Sequence, residues 1–319
     1  MTEKNLEGKP EKKLKPKRRK DTSRNEGNKE GEIVTPWKLF VRQFKKKKVA
    51  VVGLVILVAM ILISVFAPVI AKHGPNDIDV TKTNQPPTKE HKLGTDEFGR
   101  DYLARILHGG RVSMKVGLFA VILQVLIGSI IGGLAGYYGG WVDNILMRIT
   151  EVFMSFPFLP LAITISAVVG TSVKPEQRMY IVMLIIGLLS WPGLARMIRG
   201  QILSLREQEF VQAAHALGIR DSRIIWKHLL PNTFGYIIVS ATLGMASAIL
   251  SEAGLSFLGL GVTPPVPTWG NLVQNARNMY ILKNRPWLWI PPGVCIFLAV
   301  MSINLFGDGL RDAIDPKSK

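Results

Sequence analysis

Residues 212–218, Gln212-Ala213-Ala214-His215-Ala216-Leu217-Gly218, are followed by Trp226-Lys227-His228-Leu229-Leu230-Pro231, and the whole stretch lies between two long apolar runs. Ala213 and Ala214 at helical positions leave a surface that another body can approach closely. Gly218 permits a bend that a residue bearing a Cβ reaches only at a cost, and Pro231 is expected to end a second helix. The reading is a short helix-turn-helix plug that passes force to a partner and carries no chemistry of its own.

Outward from this plug, uncharged runs cover residues 49–71, 116–138, 152–173, 179–195, 233–251 and 286–307. Each is close to the roughly 20 residues that carry a helix across about 30 Å of hydrocarbon. A helix of a water-soluble domain needs a polar face, and these runs have none. The expected fold is therefore all-α, a polytopic membrane protein with six transmembrane helices. The run 179–195 is the shortest and contains Pro192, with Trp191 and Arg196 placed as interface anchors.

The chain is 48% hydrophobic yet carries a formal net charge of +17, so apolar and basic residues must be segregated. Between Lys4 and Lys48 there are 17 Lys and Arg against 6 acidic residues. No aromatic platform or recognition module accompanies them, so no nucleic acid is expected as a partner. They read as a disordered cytoplasmic tail whose Lys45–Lys48 cluster holds the first span inside the cell and touches membrane lipid. The first apolar run starts too late and is too long for a cleavable signal peptide. The expected organisation is a basic tail (1–48), a first span (49–71), an external loop (72–111), a transmembrane domain (112–308) with a cytoplasmic loop at 196–232, and a cytoplasmic tail (309–319). The loop 196–232 holds six Arg and Lys against three acidic residues, as an inside loop should.

Glycines recur every fourth position at Gly128, Gly132, Gly136 and Gly140, a strip of bare backbone along one helix face. It suits either a pore-lining or partner-packing helix or packing within the chain. Residues 256–270 (SFLGLGVTPPVPTWG) hold too many glycines and prolines for a continuous helix and read as a structured external loop. In it Pro264, Pro265 and Trp269 are candidates to cap a path or meet a solute-carrying partner. Asp96, Arg100 and Asp101 suit a capped helix start with local salt bridges.

Several functions are disfavoured. No Gly-x-x-x-x-Gly-Lys-Ser/Thr occurs, so energy must come from a partner. The runs hold no mid-membrane carboxylate, which argues against an ion-coupled secondary transporter; Gln124 and Asn304 read as interhelical hydrogen-bond formers. Paired carboxylates, a nucleophile with its base and metal-ligand spacing are all wanting, so neither an enzyme nor a cofactor is expected. Cys295 reads as a small hydrophobe, and the five histidines as structural or solvated.

The spacing of Ala213-Ala214, Gly218 and Leu230-Pro231 resembles the coupling loop of permease subunits in ABC importers. Gln212 stands where that family has Glu, and His228 where it has Ile. Leu93 to Asp101 (LGTDEFGRD), the 256–270 loop and Asn304 to Pro316 (NLFGDGLRDAIDP) are similar to signatures of oligopeptide and dipeptide permeases, in particular the C-type subunit. The resemblance runs from about Trp37 to Pro316. It implies a type I ABC importer permease fold in the cell membrane, a homologous B-type permease, two ATPase subunits and an extracellular or periplasmic peptide-binding protein. Nickel importers share these signatures, so nickel is the alternative cargo.

Overall fold

The computed structural model describes residues 36–314, which leaves most of the basic tail and the last five residues outside the described part. The described residues from Phe40 onward form one compact unit. Helix α1 (Pro36–Lys46) leads into α2 (Lys48–Val65) and the short α3 (Ala67–Ile70). A loop then reaches α4 (Tyr102–Tyr138), whose first turn is capped by the Asp101 carboxylate accepting from the Ala104 N–H at 2.8 Å. This cap and the Asp96–Arg100 ion pair at 2.7 Å are the capped start read from the sequence. At 37 residues α4 is about 55 Å long, more than a bilayer's hydrocarbon, so its first turns stand beyond the apolar layer. Residues 102–111, expected in the external loop, are thus helical.

Next come α5 (Gly140–Ser155) and α6 (Phe158–Gly170), bent by 82° at Pro157. The segment 139–151, which separates two of the uncharged runs, is nearly all helix. Helix α7 (Arg178–Arg206) runs unbroken through Pro192. After it come α8 (Glu209–Ala216), α9 (Asp221–Arg223), a π-helical segment (Ile224–Leu229) and α10 (Leu230–Asn232), then α11 (Phe234–Phe257). Outer helices α12 (Trp269–Val273) and α13 (Met279–Asn284) precede α14 (Ile290–Ile314). Five helices are long and apolar enough to cross a membrane, and the bent α5–α6 pair makes a sixth passage if counted as one.

The shortest apolar run turns out to be the centre of the subunit. Of its apolar window 56% is buried, against 22–33% for the other spans. Its main partner is α4, and the glycine strip is the reason. A Cβ on Gly128 would stand 3.0 Å from the Leu194 side chain, and one on Gly136 would stand 2.9 Å from the Arg199 carbonyl oxygen. A Cβ on Gly132 would stand closer still to the Ala195 carbonyl oxygen and 2.9 Å from Ile198 Cβ. The strip therefore packs within the chain. Gly140 is not part of it: with φ +52 and open space around it, it starts α5 after the turn at Gly139. Gln124 fits over Gly244 of α11, whose missing side chain leaves it room.

Helix α11 continues six residues past the expected end of its span and takes Glu252 with it. Glu252 is fully buried, accepting from Ser256 Oγ at 2.7 Å and lying 3.5 Å from Ser113 Oγ of α4. A carboxylate does therefore lie within a spanning helix, near its outer end and one residue past the uncharged run.

Contacts fix which ends lie together. The start of α2 meets the end of α14 through Ala50 and Gly309, through the Phe44–Phe306 edge contact at 5.7 Å, and through a Lys47–Asp312 ion pair at 2.7 Å. Gly235 at the start of α11 abuts Ile314. The 207–233 loop, the start of α2 and the end of α14 thus share one end of the bundle, as an even number of passages requires.

Gly132→Val is expected to overfill the α4–α7 contact and cost on the order of 1–3 kcal/mol or more, whereas Gly193→Ala in α7, with open space at its Cβ, should be neutral or slightly stabilising. Thermal unfolding of the purified transporter and membrane abundance measure both. Equal melting for the two variants would refute the packing role of the strip.

Candidate functional site

The loop that joins α7 to α11 is built on a buried base. Val211 and Ala214 of α8 pack with Ile224, Ile225, Leu229 and Leu230 of the second limb, against Ile198 and Ile202 of α7 and Tyr137 of α4. The turn between the limbs closes by paired bonds: Ile219 N–H to the Ala214 carbonyl at 3.1 Å and Gly218 N–H to the His215 carbonyl at 2.9 Å. This is a Schellman cap, which needs a left-handed residue after the helix, and Gly218 has φ +71. Nothing lies within 4 Å of a Cβ at Gly218, so the requirement there is conformational and not steric.

Polar contacts lock the loop to the bundle. Tyr137 Oη donates to Asp221 at 2.8 Å and lies 3.3 Å from His215 Nε2. Arg206 donates to the free carbonyls of Gly136 and Tyr137 at the end of α4, at 3.2 and 3.3 Å. Arg199 grips Asp143 of α5 with two bonds of 2.5 and 2.6 Å. The Gln212 side-chain amide donates to the Glu207 carbonyl at 3.3 Å, a bond that a Glu at this position could not make.

The structure divides the residues singled out in the sequence. Ala214 and Leu230 face inward and hold the loop together, while Gln212, Ala213, Gly218 and Pro231 are on the surface. Pro231 lies inside α10, one residue before its end, and the limb before it is partly π-helical. Sequence reasoning missed the most prominent outward residues: Leu217 is 79% exposed and Trp226 50%, and Phe210 in the first limb is exposed as well. An apolar residue at the Schellman turn was the available signal. Large exposed apolar groups on a rigidly held loop mark a contact surface.

At the opposite end, Pro264 and Pro265 are exposed but Trp269 is buried. Its indole N–H donates to the Ile106 carbonyl at 3.0 Å, and its backbone N–H to Ser113 Oγ at 3.1 Å. Thr268 and Asn271 form a capping box for α12. Tyr102 Oη bonds to the Leu272 carbonyl at 3.2 Å and also to the Leu288 carbonyl, so α4 anchors the outer loops. In the loop before α4, Lys82 donates to Glu90 at 2.7 Å; that bond raises the Lys82 pKa and holds the Glu90 carboxyl below the usual carboxylate range. Asp79 is likewise lowered, chiefly by the Thr81 hydroxyl.

Comparison with known proteins agrees with this architecture. Residues 125–319 match the family of binding-protein-dependent transport system inner membrane components, and residues 35–87 match the N-terminal transmembrane domain of oligopeptide transport permease C. The chain is 42% identical over 286 residues to the dipeptide transport system permease protein DppC of Alkalihalophilus pseudofirmus, covering 90% of this chain and 91% of that one. It is 37% identical to the oligopeptide transport system permease protein OppC of Bacillus subtilis, over 88% of this chain and 90% of that one. It is 38% identical to the glutathione transport system permease protein GsiD of Pectobacterium atrosepticum, over 90% and 93%. An inward-facing structure of the MetNI methionine ABC transporter has the same fold, with a TM-score of 0.52 at 21% identity over 67% of this chain and 98% of that one.

The chain belongs to the family of binding-protein-dependent transport permeases. It is a C-type permease, a multi-pass membrane protein and not an enzyme, and such a component works with a binding protein and ATPase subunits.

Ala214→Arg places a long charged side chain in the buried base and is expected to lower the stability of the assembled transporter by several kcal/mol, while Ala213→Arg on the outer face should leave it within about 0.5 kcal/mol. Gly218→Val should cost on the order of 1–2 kcal/mol through its left-handed φ. Unfolding curves and hydrogen exchange across residues 207–233 measure all three.

Proposed function

We infer that this chain forms half of a peptide translocation pathway and that the 207–233 loop is where ATP hydrolysis is coupled to it. The observation that carries the reading is the two-sided loop: a buried base packed on α4 and α7, and an outward side that exposes Phe210, Leu217 and Trp226. Exposed apolar side chains of this kind fit an apolar cleft on another subunit, and the packed base beneath them passes displacement of that subunit into the central helix pair. The ATPases are two, one beneath this chain and one beneath a homologous B-type permease that completes the pathway. Peptide as the cargo class rests on the dipeptide, oligopeptide and glutathione permeases that this chain is similar to. Selection among peptides belongs mainly to a binding protein outside the cell, which meets the outer layer around Pro264 and Pro265.

Orientation follows from charge: the loop end, rich in Arg, lies in the cytoplasm with both termini, and the outer layer faces outward. In a Cys295→Ser background, a cysteine at Asp221 should resist an impermeant thiol reagent in intact cells, while one at Lys89 should react.

Leu217→Asp and Trp226→Asp each remove an apolar contact and add a charge without touching the buried base. Both variants are expected to reach the membrane at normal levels and to melt like the parent, to lose ATPase subunits on purification, and to lose ATP-dependent dipeptide uptake at least tenfold. Retained ATPase association in both would overturn the coupling role.

A further inference from the structure

The sequence gives the histidines no ligand spacing, yet the fold brings two of them together on the outer face. His73 follows α3, and Glu90 and His91 lie in the loop before α4. One donor atom from each of the three residues lies within 4.8 Å of the other two. The His73 and His91 rings face each other with centroids 5.0 Å apart.

His91 is held as a metal-binding histidine is held. Its backbone N–H donates to Thr88 Oγ1 at 3.0 Å, its carbonyl accepts from the Thr88 and Gly94 N–H groups, and its Nδ1 lies 2.9 Å from Asp101 Oδ1. The other Asp101 oxygen accepts from Ala104 N–H, so the carboxylate acts as acceptor to both and Nδ1 carries the proton. Nε2 then presents a lone pair. That atom is buried, with the side chain only 6% exposed, and it has no hydrogen-bond partner among the described residues. A buried acceptor without a partner is costly, and a carboxylate bonded to the far nitrogen is the arrangement that orients a histidine toward a cation.

We propose that His73, Glu90 and His91 bind a divalent transition cation of the Zn²⁺ type, with Asp101 fixing the His91 tautomer. Ligands of a tetrahedral zinc stand about 3.4 Å apart, given bonds of about 2.0–2.2 Å. The donor atoms already lie within 4.8 Å of one another, and Glu90, which is exposed, and His73, which is half-buried, have side-chain freedom to close on the held His91. The cleft beside them, about 50 Å³ and lined by His73, Glu90 and Asp101, has room for an ion. Glu90 and Asp101 together balance a double positive charge. Lys72, Lys89 and Lys92 line the same cleft and Lys82 holds Glu90, so a cation drawn by charge alone gains little. Two imidazole nitrogens favour zinc-like ions over calcium or magnesium. The bound ion ties the segment after α3 to the residue that caps α4 and so clips the outer layer to the second membrane helix.

The test uses the complete transporter, purified with its partner subunits, stripped with a chelator and titrated with Zn²⁺ or with Co²⁺ as a spectroscopic stand-in. Wild type should bind one more Zn²⁺ per copy of this chain than His73→Ala, with imidazole ligation visible by X-ray absorption, and should gain thermal stability that the variant does not. Asp101→Asn keeps a good helix cap but has one oxygen for two donors. When that oxygen serves Ala104, its NH₂ faces Nδ1 and forces the proton onto Nε2. A 10- to 100-fold loss of affinity is expected, with melting of the metal-free transporter near that of wild type. Equal Zn²⁺ content in wild type and His73→Ala, or bound Zn²⁺ without imidazole ligands, would overturn the site.

Discussion

Lipid tails are as apolar as leucine, so helices in a bilayer gain nothing from hiding from them, and association rests on how closely two backbones can approach. In this subunit that approach is made by Gly128, Gly132 and Gly136 of α4 against Leu194 to Ile202 of α7. Much else follows from it. With α7 pressed against α4, Arg206 reaches the free carbonyls of Gly136 and Tyr137, and Ile198 and Ile202 become the floor on which the 207–233 loop folds. The same pair leaves α4 long enough to reach the outer layer, where Tyr102 and Ser113 hold the loops on either side of α12.

The two ends of α4 thus serve different surfaces through one rigid rod. At one end Tyr137 binds His215 and Asp221; at the other, Ser113 and Ile106 bind Trp269. The contacts are buried at the outer end and part-buried at the loop end, and between them α4 is fitted to α7 by close packing of its glycines. The helix pair beneath the 207–233 loop is thus the same pair that carries the outer anchors.

The number of passages and the bend at Gly218 were legible because hydrophobic run length and a left-handed turn are local properties. The glycine strip announced close packing, but nothing in one sequence names the helix that fills it. Pro192 suggested a weak span, whereas packing on several sides makes α7 the most buried helix. Ala213 and Ala214 looked equivalent, but a helix turns about 100° per residue, so one faces out and its neighbour in. Glu252 lies one residue past the uncharged run, so it fell outside the expected span. His73 and His91 are separated by a chain excursion that no spacing rule covers, and Asp101, which orients His91, was read only as a cap.

The break between α5 and α6 gives the subunit a front and a back. Helix α6, at 13 residues, is about 20 Å long and cannot cross the hydrocarbon alone, so α5 must complete the passage at a steep angle to it. Pro157 has no N–H and its carbonyl accepts from the Leu161 N–H at 3.2 Å, so the break concerns the backbone of Phe156, for which a lipid tail offers no partner. Water or another protein chain suits the side of the bundle that carries Phe156 better than lipid does, whereas the unbroken helices bond their own backbones and suit lipid.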